Sequence, residues 1–298
     1  MAILAQGSDY FGINGFPITV RLVKTESDGI VSHAHDVTEL DHYHDFIELV
    51  MVLEGRGTHL LDGKPWPVSA GDVFVIQGSQ IHSFRDRDGL VLMNIMYDAK
   101  RLPLSVSFLQ RIPGYSAMFL LEPNFRNSHQ FISRLKLKQT DLIAAKEIGE
   151  EISKESNLKV PGYEASLLCL LTQLITFLSR KYDLSDTYES HSLLQIGNVI
   201  SILERRFDEP WELAQLASIA HLSRTSLLRI FRQVTGKSPI SFLLQIRIEA
   251  AKRLLRETRQ DITTIALNVG FNDSNYFSRQ FRLIVGCSPR DYRKRRSG

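Results

Sequence analysis

A chain of 298 residues, 43% hydrophobic and 23% charged, is long enough for about two globular domains and too evenly mixed to be disordered or collagenous. No apolar run reaches the length of a membrane span, and the first seven residues lack the basic start and long apolar core of a signal peptide. The net charge of +3 hides a division, because residues 1–190 hold 18 Lys and Arg against 24 Asp and Glu whereas residues 191–298 hold 18 against 9, which suits the second half to a phosphate-bearing partner.

From Ile18 to about Tyr97 the chain reads as short strands broken by turns, within a first domain expected over residues 1–125. Phe46–Leu53 is an apolar run interrupted by Glu48, Glu54-Gly55-Arg56-Gly57 reads as a turn, Thr58–Leu61 runs on, and Asp62-Gly63 is a hairpin signal. Val73–Ile76, His82–Phe84 and Val91–Met96 continue the meander, favouring a barrel or sandwich. His42, His44 and Glu48 occupy even positions, so in an extended strand their side chains share a face. The order His-x-His, three residues, Glu, six residues and Gly55 resembles the first cupin motif. Gly71-Asp72 followed by His82 resembles the second, although Gln77, Ser79 and Asp86 depart from it. A rival set, His33, His35 and Glu39, has the same internal spacing but lacks the following apolar strand and glycine. His42, His44, Glu48 and His82 could hold a divalent transition metal or hydrogen-bond the hydroxyls of a sugar, or they could be strand residues with no direct role. No cofactor is required by this reading, and strand parity does not separate the three.

Residues 126–182 form the next segment, expected to be helical from about 128. Leu167, Leu168, Leu171, Leu174, Ile175 and Leu178 make an apolar face wider than a small barrel needs, which suits packing on the barrel or pairing with a second subunit. The two cysteines, Cys169 here and Cys287 later, show no metal-binding spacing, and a reducing cytoplasm fits both. Residues 183–191, polar and acidic, read as a linker.

Residues 192–298 say the same thing twice. His221-Leu222-Ser223-Arg224 through Phe231-Arg232, with Gly236 and Ser238-Pro239, returns as Phe271-Asn272-Asp273-Ser274 through Phe281-Arg282, with Gly286 and Ser288-Pro289. Each copy reads as helix, short turn, helix. Leu213, Leu216, Ala217 and Ala220 lead to Leu227, Ile230, Phe231 and Val234, and Ile262, Ile265, Ala266 and Val269 lead to Tyr276, Phe277, Phe281 and Ile284. Ser223 and Asp261 are natural N-caps, as is Asn272 or Asp273. Leading stripes match at an offset of 49 and trailing stripes at 50, so the second turn is one residue longer. Between the copies, Pro239 to about Thr258 keeps one helical stripe. At 1.5 Å per residue it spans roughly 30 Å, enough to hold two reading helices about one turn of B-DNA apart.

The double motif, together with the run from Gly270 to Phe281, resembles the AraC/XylS family of bacterial transcription regulators over residues 192–296. The resemblance implies that base edges are read by Thr225, Leu228 and Arg229 in the first copy and by Ser274, Asn275, Ser278 and Arg279 in the second. Arginine suits guanine, Asn275 suits adenine and Leu228 could meet only a thymine methyl. Arg224, Arg232, Arg282 and the tail from Arg293 to Arg296 are better placed for phosphate. Residues 40–135 are similar to the sensor half of regulators of rhamnose operons, which implies a sugar inducer. The expected molecule is an α+β chain: a cupin-like β-barrel with a helical dimerisation segment, then an all-α domain with two helix-turn-helix motifs. The expected function is a cytoplasmic, ligand-responsive regulator, an activator rather than an enzyme, that acts on a carbohydrate-utilisation operon as a homodimer. Its partners would be promoter DNA, a sugar and RNA polymerase. The competing reading is a metal-dependent cupin enzyme tethered to DNA.

Overall fold

In a computed structural model of the protein, residues 2–12, 14–24, 40–78, 80–104, 106–123, 134–183 and 188–294 are described, the last stretch with side chains from Leu193 onward. Internal contacts divide the chain into two compact units, Met1–Leu194 and Gln195–Gly298. Among the described residues no helix is long and apolar enough to cross a membrane.

The first unit is built on one eight-stranded sheet of β1 (Ile3–Ala5), β2 (Ile18–Lys24), β3 (His42–His44), β4 (Ile47–Leu61), β5 (Lys64–Ser69), β6 (Asp72–Gln77), β7 (His82–Tyr97) and β8 (Leu135–Lys136). The main path runs β1-β3-β7-β4-β6-β8, with β2 added to β7 and β5 to β4. The unbroken apolar runs of β4 and β6 are buried on both faces. Their even residues Val50, Val52, Phe74 and Ile76 share a core with Leu90 and Leu92, while odd Met51, with Met93 of β7, turns to the other face.

Two expected turns are instead bends inside long strands. Gly55 lies at φ +69°, and β4 continues past it with register shifts against β7 between Val52 and Thr58. A Cβ on Gly55 would stand 2.2 Å from the Gly89 carbonyl, so only glycine lets the bulged strands approach. Opposite it, Asp86 and Gly89 also take positive φ, and the two expected strands at 82–84 and 91–96 are one. Asp62 and Gly63, at φ 47° and 76°, do make the two-residue hairpin turn joining β4 to β5.

Helix was expected from about residue 128, but the described chain resumes at Arg134 and enters strand β8. Fully buried Asp72 binds that strand, 2.9 Å from Arg134 Nε and 3.2 Å from Lys136 Nζ, while its second oxygen accepts from Ser69 N. Short helices α1 (Gly7–Phe11), α2 (Val106–Gln110) and α3 (Pro113–Tyr115) flank the sheet elements in sequence, and a π-helical stretch covers Ser116–Leu121. Helices α4 (Gln139–Leu158) and α5 (Tyr163–Tyr182) form a hairpin, with α4 on β2 and β7 and α5 on α4 and α3. Leu167, Leu171, Leu174, Ile175 and Leu178 are all buried and Leu168 is half-buried, so most of the wide apolar face is covered inside this unit. Residues 188–191, expected in a linker, already belong to α6 (Tyr188–Arg205).

The second unit carries α7 (Leu213–Ile219), α8 (Arg224–Thr235), α9 (Pro239–Glu257), α10 (Ile262–Asn268), α11 (Ser274–Val285) and α12 (Pro289–Lys294). Ser223 Oγ accepts from Ser226 N, Asp261 from Thr264 N and Asp273 from Asn275 N, so each expected cap is made and Asp273 takes the one left open. Buried Leu227 and Phe231 answer buried Phe277 and Phe281. Tyr276 and Ile284, expected in the core, are 39% and 42% exposed. The stripe of α11 runs Phe277, Phe281 and half-buried Val285, which are four residues apart and therefore stack on one side.

Candidate functional site

Two places could carry function, one in each unit. On α8, Arg224, Thr225, Arg229 and Arg232 are exposed, and on α11 so are Asn275, Arg279 and Arg282. Ser274 and Ser278 are half-buried beside them, as is Leu228. Thr225 and Arg229, like Asn275 and Arg279, fall opposite Leu227 and Phe231, or Phe277 and Phe281, because a helix that buries one stripe must present the other, while Leu228 and Ser278 lie on the flank and Arg224 and Ser274 at the first turn of each helix. None of the five guanidiniums has a carboxylate partner among the described residues, which leaves their donors available to phosphate or guanine. Arg279 lies 5.8 Å from the Tyr276 ring, so exposed Tyr276 packs beside that guanidinium. Arg293, expected on phosphate, instead donates to the Gln260 carbonyl at 2.6 Å and closes the end of the second copy. Arg295 and Arg296 lie outside the described residues.

In the sheet unit, β3, β4 and β7 bring three side chains to one point. His44 Nε2 is 3.4 Å and His82 Nε2 3.2 Å from Glu48 Oε2, and all three residues are buried. The chain bends at Asp45-Phe46 rather than running as one strand, yet the even positions still converge. His44 Nδ1 donates to the Phe46 carbonyl at 2.8 Å and His82 Nδ1 to the Gln80 carbonyl at 3.2 Å. With a carbonyl as partner, each Nδ1 must carry the proton, and in the neutral ring Nε2 then presents a lone pair. Despite the short separations, neither His44 Nε2 nor Glu48 Oε2 meets a partner at hydrogen-bonding angles. Burial pushes the Glu48 carboxyl up, but the His44 and His82 rings, when they carry a second proton at Nε2, outweigh it and hold the group well below the usual carboxylate range. Three converging lone pairs around a buried negative charge repel one another unless a cation, a proton or a metal, lies among them. Nδ1 bonded to a backbone carbonyl is also how metal-binding histidines are held in orientation.

His42 is not one of the three converging donors. Its ring lies 4.1 Å from that of His82 and lines the same cavity, with Nδ1 on the Leu40 carbonyl. Burial, then the His82 ring, pushes its pKa down to about 4, so it is neutral near pH 7. Two neighbours escaped the sequence reading. Asn94 Nδ2 donates to Glu48 Oε1 at 2.6 Å, and fully buried His59 is stacked between Phe74 and Phe84, edge-on to His82. Cross-strand pairing of Val50 with Asn94 explains the first, and no local spacing announces it. The cavity over these groups measures about 30 Å³, and Lys24, Arg87, Phe84 and Met96 also line it. That is room for an ion or a water or two. The competing set His33, His35 and Glu39 lies outside the described residues.

Comparison with known proteins joins both places. Residues 30–95 match the cupin domain family and residues 216–295 the helix-turn-helix domain family. The HTH-type transcriptional activator RhaR of Yersinia pestis bv. Antiqua (strain Angola) is 34% identical over 260 residues, 87% of this chain and 86% of that protein. The protein of the same name from Shigella flexneri serotype 5b (strain 8401) is 33% identical over 254 residues, 85% of this chain and 86% of its own. A crystal structure of an AraC-type transcriptional regulator from Chromobacterium violaceum is 30% identical, covers 35% of this chain and 92% of its own, and has a TM-score of 0.33. With a relative this similar along most of both chains, a sheet domain of cupin type and a duplicated helix-turn-helix, the chain belongs to the AraC-type family of DNA-binding transcriptional regulators.

Proposed function

We propose that the chain is a sugar-responsive activator that reads promoter DNA with α8 and α11 and senses its inducer in the cavity around His42, His44, Glu48 and His82. The observation that carries this reading is the buried polar centre of an acidic sensor half, in the same chain as a duplicated basic reader. A cavity of about 30 Å³ cannot take a hexose without moving its walls. Sugar binding would therefore favour an altered sheet unit, and a ligand with unequal affinity for two arrangements shifts their populations. The likeness to proteins named as activators supports the direction of the effect, with RNA polymerase as the partner and the homodimer as the working form, in the cytoplasm. His44, Glu48 and His82 suit a divalent transition metal through two imidazoles and a carboxylate, a role that would fix the cavity's polar wall.

The test uses the purified full-length chain and a duplex selected by it from a random-sequence library. L-rhamnose is the first sugar to titrate. Tighter binding, or more transcript in a reconstituted reaction, is expected with rhamnose or another monosaccharide. If no monosaccharide changes DNA affinity, DNA arrangement or transcription, the sensing role is wrong. Elemental analysis of the same sample should find about one equivalent of metal, lost in Glu48→Gln. Turnover of the sugar by metal-loaded protein would instead favour the enzyme reading.

A further inference from the structure

Arg247 lies in the middle of α9 and is only 9% exposed. Its Nε donates to the Phe207 carbonyl at 2.7 Å and its Nη2 to the Glu209 carbonyl at 2.6 Å, while the guanidinium carbon lies 5.6 Å from the Phe271 ring. A buried cation held by carbonyls and a ring costs desolvation that an apolar residue of similar size would avoid. What the guanidinium supplies is a rigid fork that binds two fixed oxygens at once.

The three segments it joins are far apart in the chain. Residues 207–209 lead into the first helix-turn-helix, Arg247 lies on the helix between the copies, and Gly270-Phe271 is the turn of the second. Phe207 packs on the core of the second copy. Gly270, at φ +87°, brings its backbone so close that a Cβ would stand 2.6 Å from the Asp208 carbonyl oxygen and 2.9 Å from Arg247 Nη2. Reading helices α8 and α11 each pack on α9. The approach to the first copy is thus fastened to the turn of the second.

We infer that the junction of residues 207–209, Arg247 and Gly270-Phe271 fixes the separation of the two reading helices, which makes Arg247 a positioning residue that sets the half-site spacing the chain accepts. In this role Arg247 touches no base. Lysine keeps its charge but offers one donor centre where the fork has separate ones, so the two carbonyls would no longer be held together.

The probe is the duplex the wild-type full-length chain selects from a random library, and the same duplex with one base pair inserted between its half-sites, a displacement of roughly 3.4 Å. Wild type is expected to lose about tenfold or more in affinity on insertion, and Arg247→Lys about threefold or less. A loss of stability alone would weaken both duplexes alike and leave their ratio unchanged. A second measurement needs no DNA: spin labels at Gln233→Cys and Leu283→Cys, in a Cys169→Ser and Cys287→Ser background, should show a narrow distance distribution that broadens in Arg247→Lys. An unchanged insertion penalty, an unchanged distribution in the folded variant, or loss of helicity in Arg247→Lys would each overturn the inference. The last would make Arg247 a residue of folding.

Discussion

The two helix-turn-helix copies bury corresponding side chains and turn by different means. In the first, the chain reverses between α7 and α8 through His221, which holds φ +52° on an exposed surface. In the second, the equivalent place is Gly270, hemmed in by Asp208 and Arg247, and one further residue separates it from the cap of α11. Leu222 N bonds Ala217 O as Phe271 N bonds Ala266 O, so the closing geometry is shared and only the surroundings differ. A left-handed position in open solvent tolerates a side chain at modest cost, whereas the same backbone packed against a neighbour requires glycine. The duplicated sequence repeats a local fold, and the differences mark where each copy meets the rest of its unit.

The strongest blows to this comparison should fall on what the copies share. Phe231→Ala and Phe281→Ala each empty a fully buried site, and each should cost about 3–5 kcal/mol in chemical denaturation. A much smaller loss in one copy would show that its core is not equivalent. Gly270→Ala should destabilise by more than about 1 kcal/mol, whereas His221→Gly should stay within about 1 kcal/mol of wild type. Equal costs would remove the distinction between the turns. On DNA, Arg279→Ala should cost about 1–3 kcal/mol and relax preference at one base pair, whereas Arg282→Ala should weaken specific and random duplexes alike. Matching losses for both on both DNAs would reverse the assignment. The smallest effect concerns the cap of α10. Hydrogen bonds from Thr264 hold the Asp261 carboxyl below its ordinary pKa of 3.8. Its contribution is therefore complete above that value and is lost as pH falls through the lower folded one. The melting-temperature gap between wild type and Asp261→Asn should close on acidification, and a gap constant with pH would exclude the carboxylate as the source.

Much of the second unit was legible because its information is local and written twice. Caps, stripes and the extra turn residue are all short-range, and Tyr276 and Ile284 misled only because two adjacent apolar residues at each end of α11 compete for one stripe. The sheet unit was harder. Glu54-Gly55-Arg56-Gly57 has the composition of a turn, and pairing of Glu54 with Val91, and of Arg56 with Asp88 and Ser69, keeps it a bent strand. Alternation was enough to place His44 and Glu48 together. It could not reveal Asn94 on Glu48, the stacking of His59 or the pairing of β8, which depend on register between distant segments. The breadth of the α5 face was visible, but not that α3 and α4 would cover it.

Gly149 on α4 carries a consequence for how a filled cavity is felt elsewhere. A Cβ there would stand 2.3 Å from Met93 Sδ, so the helix rests its bare backbone on the sheet. Met93 adjoins Asn94, and Met51 beneath the same glycine is three residues from Glu48, with alternate side chains directed to opposite sides of the strand. The wall between the histidine centre and α4 is thus a single strand thick, with the thioethers of Met93 and Met51 against the helix at that point. A push from inside would reach the helix as a displacement of backbone, like a finger pressed on a drumskin against which a rod is leaning.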